Sequence, residues 1–284
     1  MGQGYSPGWR LVSLRSHYPV SRLAFLGALS MTASPINFGT VAGDYARYRP
    51  GFPEAFFDRI ARAGVSTAGQ RVLDLGTGTG SLARGFAARG AFVVGLDPSM
   101  EMLQEAVVLT RAAGLRVHYI RAVAEAIGLM DDAFDVVCAG QCWHWFDRVR
   151  VSREVARLLH PGGHALIGYF SYLADPGTLG AMTEALVLRH HPDWKFAGSD
   201  GRVPQFAADL AAQGLGGLET FEFDLDILFT QDDWRGRFRT CNGVFSLPQN
   251  KRAAFDADLH ALLAVHYPNP IHVPHRVFGI LAQK

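Results

Sequence analysis

The chain has 284 residues, 49% of them hydrophobic, and a formal net charge of +1. That supplies a sizeable core for one large domain, and it excludes a broad electrostatic field for nucleic acid. The three cysteines, Cys138, Cys142 and Cys241, form no C-x-x-C pair, so they read as buried thiols rather than as a disulfide framework or a zinc set.

Residues 1–43 carry no acidic side chain but hold Arg10, Arg15 and Arg22 among several serines, the composition of an organelle transit peptide. Met31 offers a plainer account, a start-site extension upstream of it. We expect residues 1–36 to be a disordered or weakly packed N-terminal extension of a cytoplasmic protein. The apolar run at 23–29 is too short to span a membrane.

Residues 40–48 suit a short helix ended by Pro50, with Tyr45 and Arg49 four apart on one face. A second helix fits 53–63, with Phe56, Phe57 and Ile60 inward. The stretch VLDLGTGTG over 72–80 is a buried strand running into a three-glycine turn, and 81–89 reads as a helix. Such a turn lets the backbone take positive φ and lets a ligand approach its N–H groups and the following helix start. A second strand over 91–96 ends at Asp97, and a helix from Pro98 and Ser99 runs to about residue 113. Strands follow over 116–120 and 133–139. A helix over 150–159 and a turn at 160–163 lead to a fifth strand over 164–170. This alternation predicts a parallel sheet covered on both faces. Beyond 171 the rhythm changes. Residues 177–215 read as helical and punctuated by glycines, 219–229 as a half-exposed strand near a sheet edge, 231–240 and 251–266 as helices, and 277–281 as a closing strand.

The turn is not a dinucleotide fingerprint. The third glycine of G-x-G-x-x-G arrives one residue early, at Gly80, and Ser81 holds the expected place. Asp74 precedes the turn and is placed to meet a positively charged amino group. Asp97 is placed to accept from both hydroxyls of a ribose. The plainer alternatives are a turn aspartate bonded to its own loop and a helix cap.

This combination resembles the class I S-adenosylmethionine-dependent methyltransferases. The residues that carry the resemblance are VLDLGTGTG at 72–80, GLDPSMEML at 95–103, FDVV at 134–137 and LLHPGG at 158–163, four motifs in register over residues 70–170. YARYRP at 45–50 and QCWHWFD at 141–147 look like a small-molecule subgroup that includes proteins similar to trans-aconitate methyltransferase (the methyltransferase type 11 group).

The resemblance implies an α/β fold: a Rossmann-like, seven-stranded, mostly parallel sheet with helices on both faces, the last strand antiparallel, and helical cap insertions. Residues 37–170 would be the S-adenosylmethionine-binding core with its N-terminal lid, and 171–284 the cap insertions and closing strands of the same domain. The implied cofactor residues are Tyr45, Arg49, Asp74, Gly76, Thr77, Gly78, Gly80, Asp97, Pro98, Ser99, Met102, Ala124, Glu125 and Gln141. The implied substrate residues are Tyr48, Trp143, His144, Trp145 and Tyr169. Where family members often carry an acid after the third strand, this chain has Val123, which leaves the adenine to backbone near Ala124 and to Glu125.

Methyl transfer asks little of side chains beyond alignment and a dry site. His144 is the candidate base for an acceptor that must lose a proton; packing within its own loop is the alternative. Tyr45 and Tyr48 would turn aromatic faces to the sulfonium, or pack the first helix on the sheet. The expected partner is a small-molecule acceptor with an O, N or C nucleophile, without metal, nucleic acid or membrane, on a monomer or homodimer. Trp194, Phe196, Trp234, Phe238, Phe245 and Tyr267 would either line an aromatic acceptor pocket or form the cap's core. Likeness to the trans-aconitate group allows a carboxylate acceptor instead, with Arg237, Arg239 or Arg276 as anion partners. The rival readings are a nicotinamide-dependent oxidoreductase and a non-catalytic S-adenosylmethionine-binding protein.

Overall fold

The computed structural model describes residues 36–284. The extension expected over 1–36 lies outside the described residues except for Ile36. A turn of 3-10 helix, Phe38–Val41, leads into α1 (Ala42–Tyr48), and α2 spans Glu54–Ala61. The alternating core follows: β1 (Arg71–Leu75), α3 (Ser81–Ala88), β2 (Phe92–Asp97), α4 (Met100–Ala112), β3 (His118–Arg121), β4 (Phe134–Gly140), α5 (Arg148–Leu158) and β5 (Leu159–Tyr172). The later part holds α6 (Leu179–His190), α7 (Ala207–Ala211), β6 (Gly216–Phe229), α8 (Gln231–Arg239), α9 (Asn242–Phe245), α10 (Gln249–His266) and β7 (Ile271–Gln283).

The strands form one seven-stranded sheet in the order β3-β2-β1-β4-β5-β7-β6. β1 to β5 run parallel, and β7 is antiparallel to both of its neighbours. This is the expected sheet, with the last strand reversed and β6 on the edge.

Side chains alternate across each strand, so β1 feeds two cores. Leu73 and Leu75 join Val151, Val155 and Leu158 of α5 on one face. Val72 joins Phe56, Phe57 and Ile60 of α2 and Leu82 and Phe86 of α3 on the other. Each fully buried phenylalanine contributes about 2–3 kcal/mol of transfer free energy. Asp74 shares the second face, directly opposite Cys138 in the β1–β4 register. A third core lies in the cap, where α6, α8 and α10 pack around Trp234, Phe238 and Phe255.

Three expectations need correction. The helical stretch at 177–215 is broken, because α6 stops at His190 just before Pro192, and Gly198 and Gly201 take positive φ of 75° and 76°. The fifth strand begins at Leu159 rather than 164. Leu159 pairs with Phe134, the register shifts, and His164 resumes opposite Val136, so the Pro-Gly-Gly turn is a bulge within the strand. Lys284 ties that bulge down: its C=O accepts from Gly162 N–H and its N–H donates to Gly163 C=O. β7 is longer than 277–281 because Ile271 and Val273 extend the buried face, alternating with exposed His272.

Candidate active site

The strand order reverses between β1 and β4, and the loops leaving those two strands diverge there, which opens a crevice at their carboxyl ends. Asp74, Gly76, Thr77 and Gly78 form its floor; Gly140 and Gln141 come from the β4 end, and Tyr45, Arg49 and Phe52 from the N-terminal segment. Phe170 of β5 and Arg237 of α8 complete the wall.

The glycine turn is fixed by geometry. Gly76, Gly78 and Gly80 have φ of 60°, 55° and 78°, which L side chains rarely adopt. A Cβ on Gly76 would stand 2.9 Å from Cys142 Sγ, and one on Gly80 would stand 2.3 Å from Tyr119 Oη. Thr77 N–H donates to Leu96 C=O at 2.8 Å, which holds the turn against β2.

Asp74 is 1% exposed and accepts from Thr77 Oγ1 at 2.6 Å, with Cys138 Sγ 3.6 Å away. Burial raises its pKa to about 7, against the opposing pull of those hydrogen bonds. Asp74 is thus a buried carboxyl on the cleft floor whose side-chain hydrogen-bond partners, Thr77 and Cys138, are both neutral. Asp97 ends β2. Its Oδ2 accepts from Gly78 N–H at 3.0 Å and its Oδ1 from Ser99 N–H at 2.9 Å, yet burial still pushes its pKa up. Each oxygen keeps a further lone pair for a hydroxyl donor. Asp74 thus accepts from a loop side chain, Asp97 from the loop's Gly78 N–H, and the cap of α4 is Ser99.

The remaining predicted cofactor residues divide into two groups. Around Asp97, Ser99 Oγ accepts from Met102 N–H at 3.2 Å, Met102 lies buried beside Gly78, and the Pro98 C=O accepts from Arg121 Nε. Ala124 is buried, while Glu125 turns away to accept from Asp147 N–H at 3.1 Å, at the start of α5. On the cleft side, Gln141 takes φ of 63° and its Nε2 donates to Phe170 C=O. Arg49 lies 5.0 Å over the Tyr45 ring and donates to Thr240 Oγ1 and C=O at 2.8 and 3.0 Å. One face of Tyr45 therefore already carries a cation.

The predicted substrate residues are not among those lining this cleft. Tyr48 packs flat on Gly236 of α8, between Arg47 and Arg239. Trp143 is 1% exposed and belongs to the sheet core; its Nε1 donates to Asp209 at 2.9 Å. His144, Trp145 and Tyr169 gather nearby with Phe196: His144 Nδ1 lies 2.8 Å from Tyr169 Oη, and Trp145 contacts both Phe196 and Phe38. Part of His144 reaches solvent, but its ring lies among these aromatics, and desolvation lowers its pKa to about 4. It is neutral at pH 7. Tyr169 shifts upward through burial. In the cap, Trp194, Trp234 and Phe238 are core, whereas Phe196 is 41% exposed.

Phe52 and Phe170 line the cleft but could not be picked out in the sequence, since a single phenylalanine carries no positional signal. Among the described residues no helix is long and apolar enough to cross a membrane, and no three His, Cys, Asp or Glu side chains are grouped to hold a metal.

Residues 73–167 match the family model described as a methyltransferase domain. A methyltransferase of Mycobacterium tuberculosis (strain ATCC 25618 / H37Rv), itself uncharacterized, is 42% identical over 128 residues, 45% of this chain and 49% of that protein. The ubiquinone biosynthesis O-methyltransferase of Ralstonia nicotianae is 40% identical over 127 residues, 44% of this chain and 53% of that protein. The chain thus spans about half the length of the relatives it matches. Phosphoethanolamine N-methyltransferase 2 of Haemonchus contortus, solved with phosphomonomethylethanolamine and S-adenosylhomocysteine, shares the fold with a TM-score of 0.53 at 22% identity, over 87% of this chain and 57% of that one.

Proposed function

From the premise that this chain carries a class I methyltransferase domain, we propose that it transfers a methyl group from S-adenosylmethionine to a small-molecule acceptor. One observation carries the reading: two buried carboxyls, Asp74 and Asp97, stand on either side of a glycine turn that has no room for side chains. That pattern fits an adenosyl amino acid. Asp74 would hold the α-ammonium group, and its raised pKa shows what an unpaired carboxyl costs there. Asp97 would accept from the ribose hydroxyls with the lone pairs left by Gly78 and Ser99. The Gly76–Gly78 backbone would lie directly against the ligand. Arg49 and Tyr45 would close the amino-acid end, and Met102 and Ala124 would wall the adenine.

When bound, S-adenosylmethionine supplies a sulfonium methyl for in-line attack by the acceptor. The protein's share is alignment and exclusion of water. His144 is the base for an acceptor that loses a proton: its imidazole is neutral at pH 7, Nδ1 lies 2.8 Å from Tyr169 Oη, and the low pKa makes it a weak base that suits an acceptor whose proton is already labile. The aromatic surround of His144, with Trp145 and Phe196, suits an acceptor with an apolar or planar body. The relative from Ralstonia nicotianae is named a ubiquinone biosynthesis O-methyltransferase, which supports a small acceptor here.

Calorimetric titration with S-adenosylhomocysteine and, separately, with NAD tests the donor. The expected result is saturable binding of the first, weakened about tenfold or more by Asp97→Ala, and no binding of the second. Tight NAD binding without S-adenosylhomocysteine binding would overturn it.

A further inference from the structure

The three cap arginines that an anionic acceptor could use are not equivalent. Arg276 is spent on Asp224, with two bonds of 2.7 and 2.6 Å. Arg239 is paired with Asp44 and Asp256. Arg237 is 5% exposed, and its Nε is buried without a hydrogen-bond partner. Its guanidinium lies 4.5 Å over the Tyr172 ring, flanked by Trp234 and Phe238. Glu184 feels its charge, but the two Glu184 oxygens are engaged by Tyr172 Oη at 2.8 Å and Gly198 N–H at 2.7 Å. Aromatic faces alone rarely offset the burial of a guanidinium.

Arg237 also lines the crevice, as do Arg49 and Asp74. The two arginines repel each other, and burial with that repulsion holds the Arg237 pKa down to about 10. A pair of cations on one wall, one of them with an orphaned donor, is the complement of a planar anion.

We infer that Arg237 is a carboxylate-binding residue of the cleft, set on α8 to receive a carboxylate together with Arg49. The assignment rests on the methyltransferase reading for the identity of the ligands, which offers two sources of a carboxylate: the acceptor, and the donor's methionyl end. The chemistry required of Arg237 is the same for both.

The test follows the Arg237 Nε–H resonance in nitrogen-15-labelled full-length protein, assigned by its loss in Arg237→Lys. Acetate and its neutral isostere acetamide are titrated into the free protein and into protein saturated with S-adenosylhomocysteine. In parallel, S-adenosylhomocysteine and 5′-methylthioadenosine, which lacks the amino-acid end, are titrated into wild type, Arg237→Met and Arg237→Lys. The expected result is that acetate moves the resonance of the free protein with at least about tenfold tighter apparent affinity than acetamide. If that preference persists in the saturated protein, the acceptor is the source. If it vanishes there, and Arg237→Met weakens S-adenosylhomocysteine about tenfold while sparing 5′-methylthioadenosine, the donor is the source. Arg237→Lys should recover part of the loss. Equal responses to acetate and acetamide in the free wild-type protein would overturn the assignment, whatever the variants do. Absence of S-adenosylhomocysteine binding to wild type would instead sink the methyl-donor reading and leave the acetate result standing by itself.

Discussion

Donor affinity should depend on pH through Asp74, and the sign can be worked out. The ordinary aspartate pKa is 3.8, and burial lifts that of Asp74 to about 7. The free protein therefore holds a proton on Asp74 below neutrality. An α-ammonium group binds the ionised form, so binding expels that proton whenever the pH is under about 7. Apparent affinity for S-adenosylhomocysteine should be near its maximum around pH 8, fall about twofold by pH 7 and about tenfold by pH 6, and decline again where the ligand's own ammonium group loses its proton. Asp97 is also raised, so the comparison needs a ligand with the ribose but no ammonium group. 5′-Methylthioadenosine is that ligand, and the ratio of the two affinities isolates Asp74. Calorimetry at pH 6 in buffers of differing ionisation enthalpy should register close to one proton released per S-adenosylhomocysteine bound. Asp74→Asn should abolish the pH dependence of the ratio and, at pH 8, lower S-adenosylhomocysteine affinity about tenfold to a hundredfold, the worth of a charge-assisted hydrogen bond. A ratio that stays constant from pH 6 to 8 would refute the reasoning, because it would mean that Asp74 does not meet a cation.

Other consequences follow from the same geometry. Gly80→Ala places a Cβ 2.3 Å from Tyr119 Oη at a φ of 78°, so denaturant unfolding should show a loss of about 2 kcal/mol or more; a loss under 0.5 kcal/mol would contradict the tightness of the turn. Gly236→Ala drives a methyl into the Tyr48 ring and should loosen α1, which carries Tyr45 and is capped by Arg49; S-adenosylhomocysteine affinity should drop about tenfold while the circular dichroism of the sheet is retained, and unchanged affinity would show that α1 does not hold the ligand. The His144 ring, read by proton NMR, should titrate near pH 4 rather than 6.5, since desolvation disfavours its charged form; a midpoint at 6.5 would show a solvated ring and refute its burial among the aromatics.

The sheet and the glycine turn could be read along the chain because each is a local pattern. An apolar run that ends in glycines makes a strand and turn whatever surrounds it, and Asp74 and Asp97 hold strand-end positions that periodicity alone assigns. The functions of other residues depend on contacts between distant segments. Trp143, His144 and Trp145 are consecutive, yet a 3-10 turn sends them to three environments: Asp209 and the core, Tyr169, and Phe38 with Phe196. Nothing near Trp143 announces Asp209. Glu125 likewise sits where an adenine partner is expected, but the start of α5 offers it the Asp147 N–H. Tyr48 and Tyr45 look alike in sequence and differ only because Gly236 leaves a flat seat for one of them. The cap was least legible, since whether an aromatic forms core or lining is decided by how α6, α8 and α10 pack. Arginine pairing is equally hidden: Arg237, Arg239 and Arg276 are alike in the sequence and separate only once their carboxylate neighbours are known.

The most direct test of the central claim is a crystal structure with S-adenosylhomocysteine. The ribose hydroxyls should lie on the Asp97 carboxylate, the α-ammonium group on Asp74, the amino-acid end against Gly76–Gly78, and the sulfur open toward the His144 and Tyr169 side. A ligand bound elsewhere, or one seated in the crevice with Asp74 and Asp97 both out of hydrogen-bond reach, would contradict it.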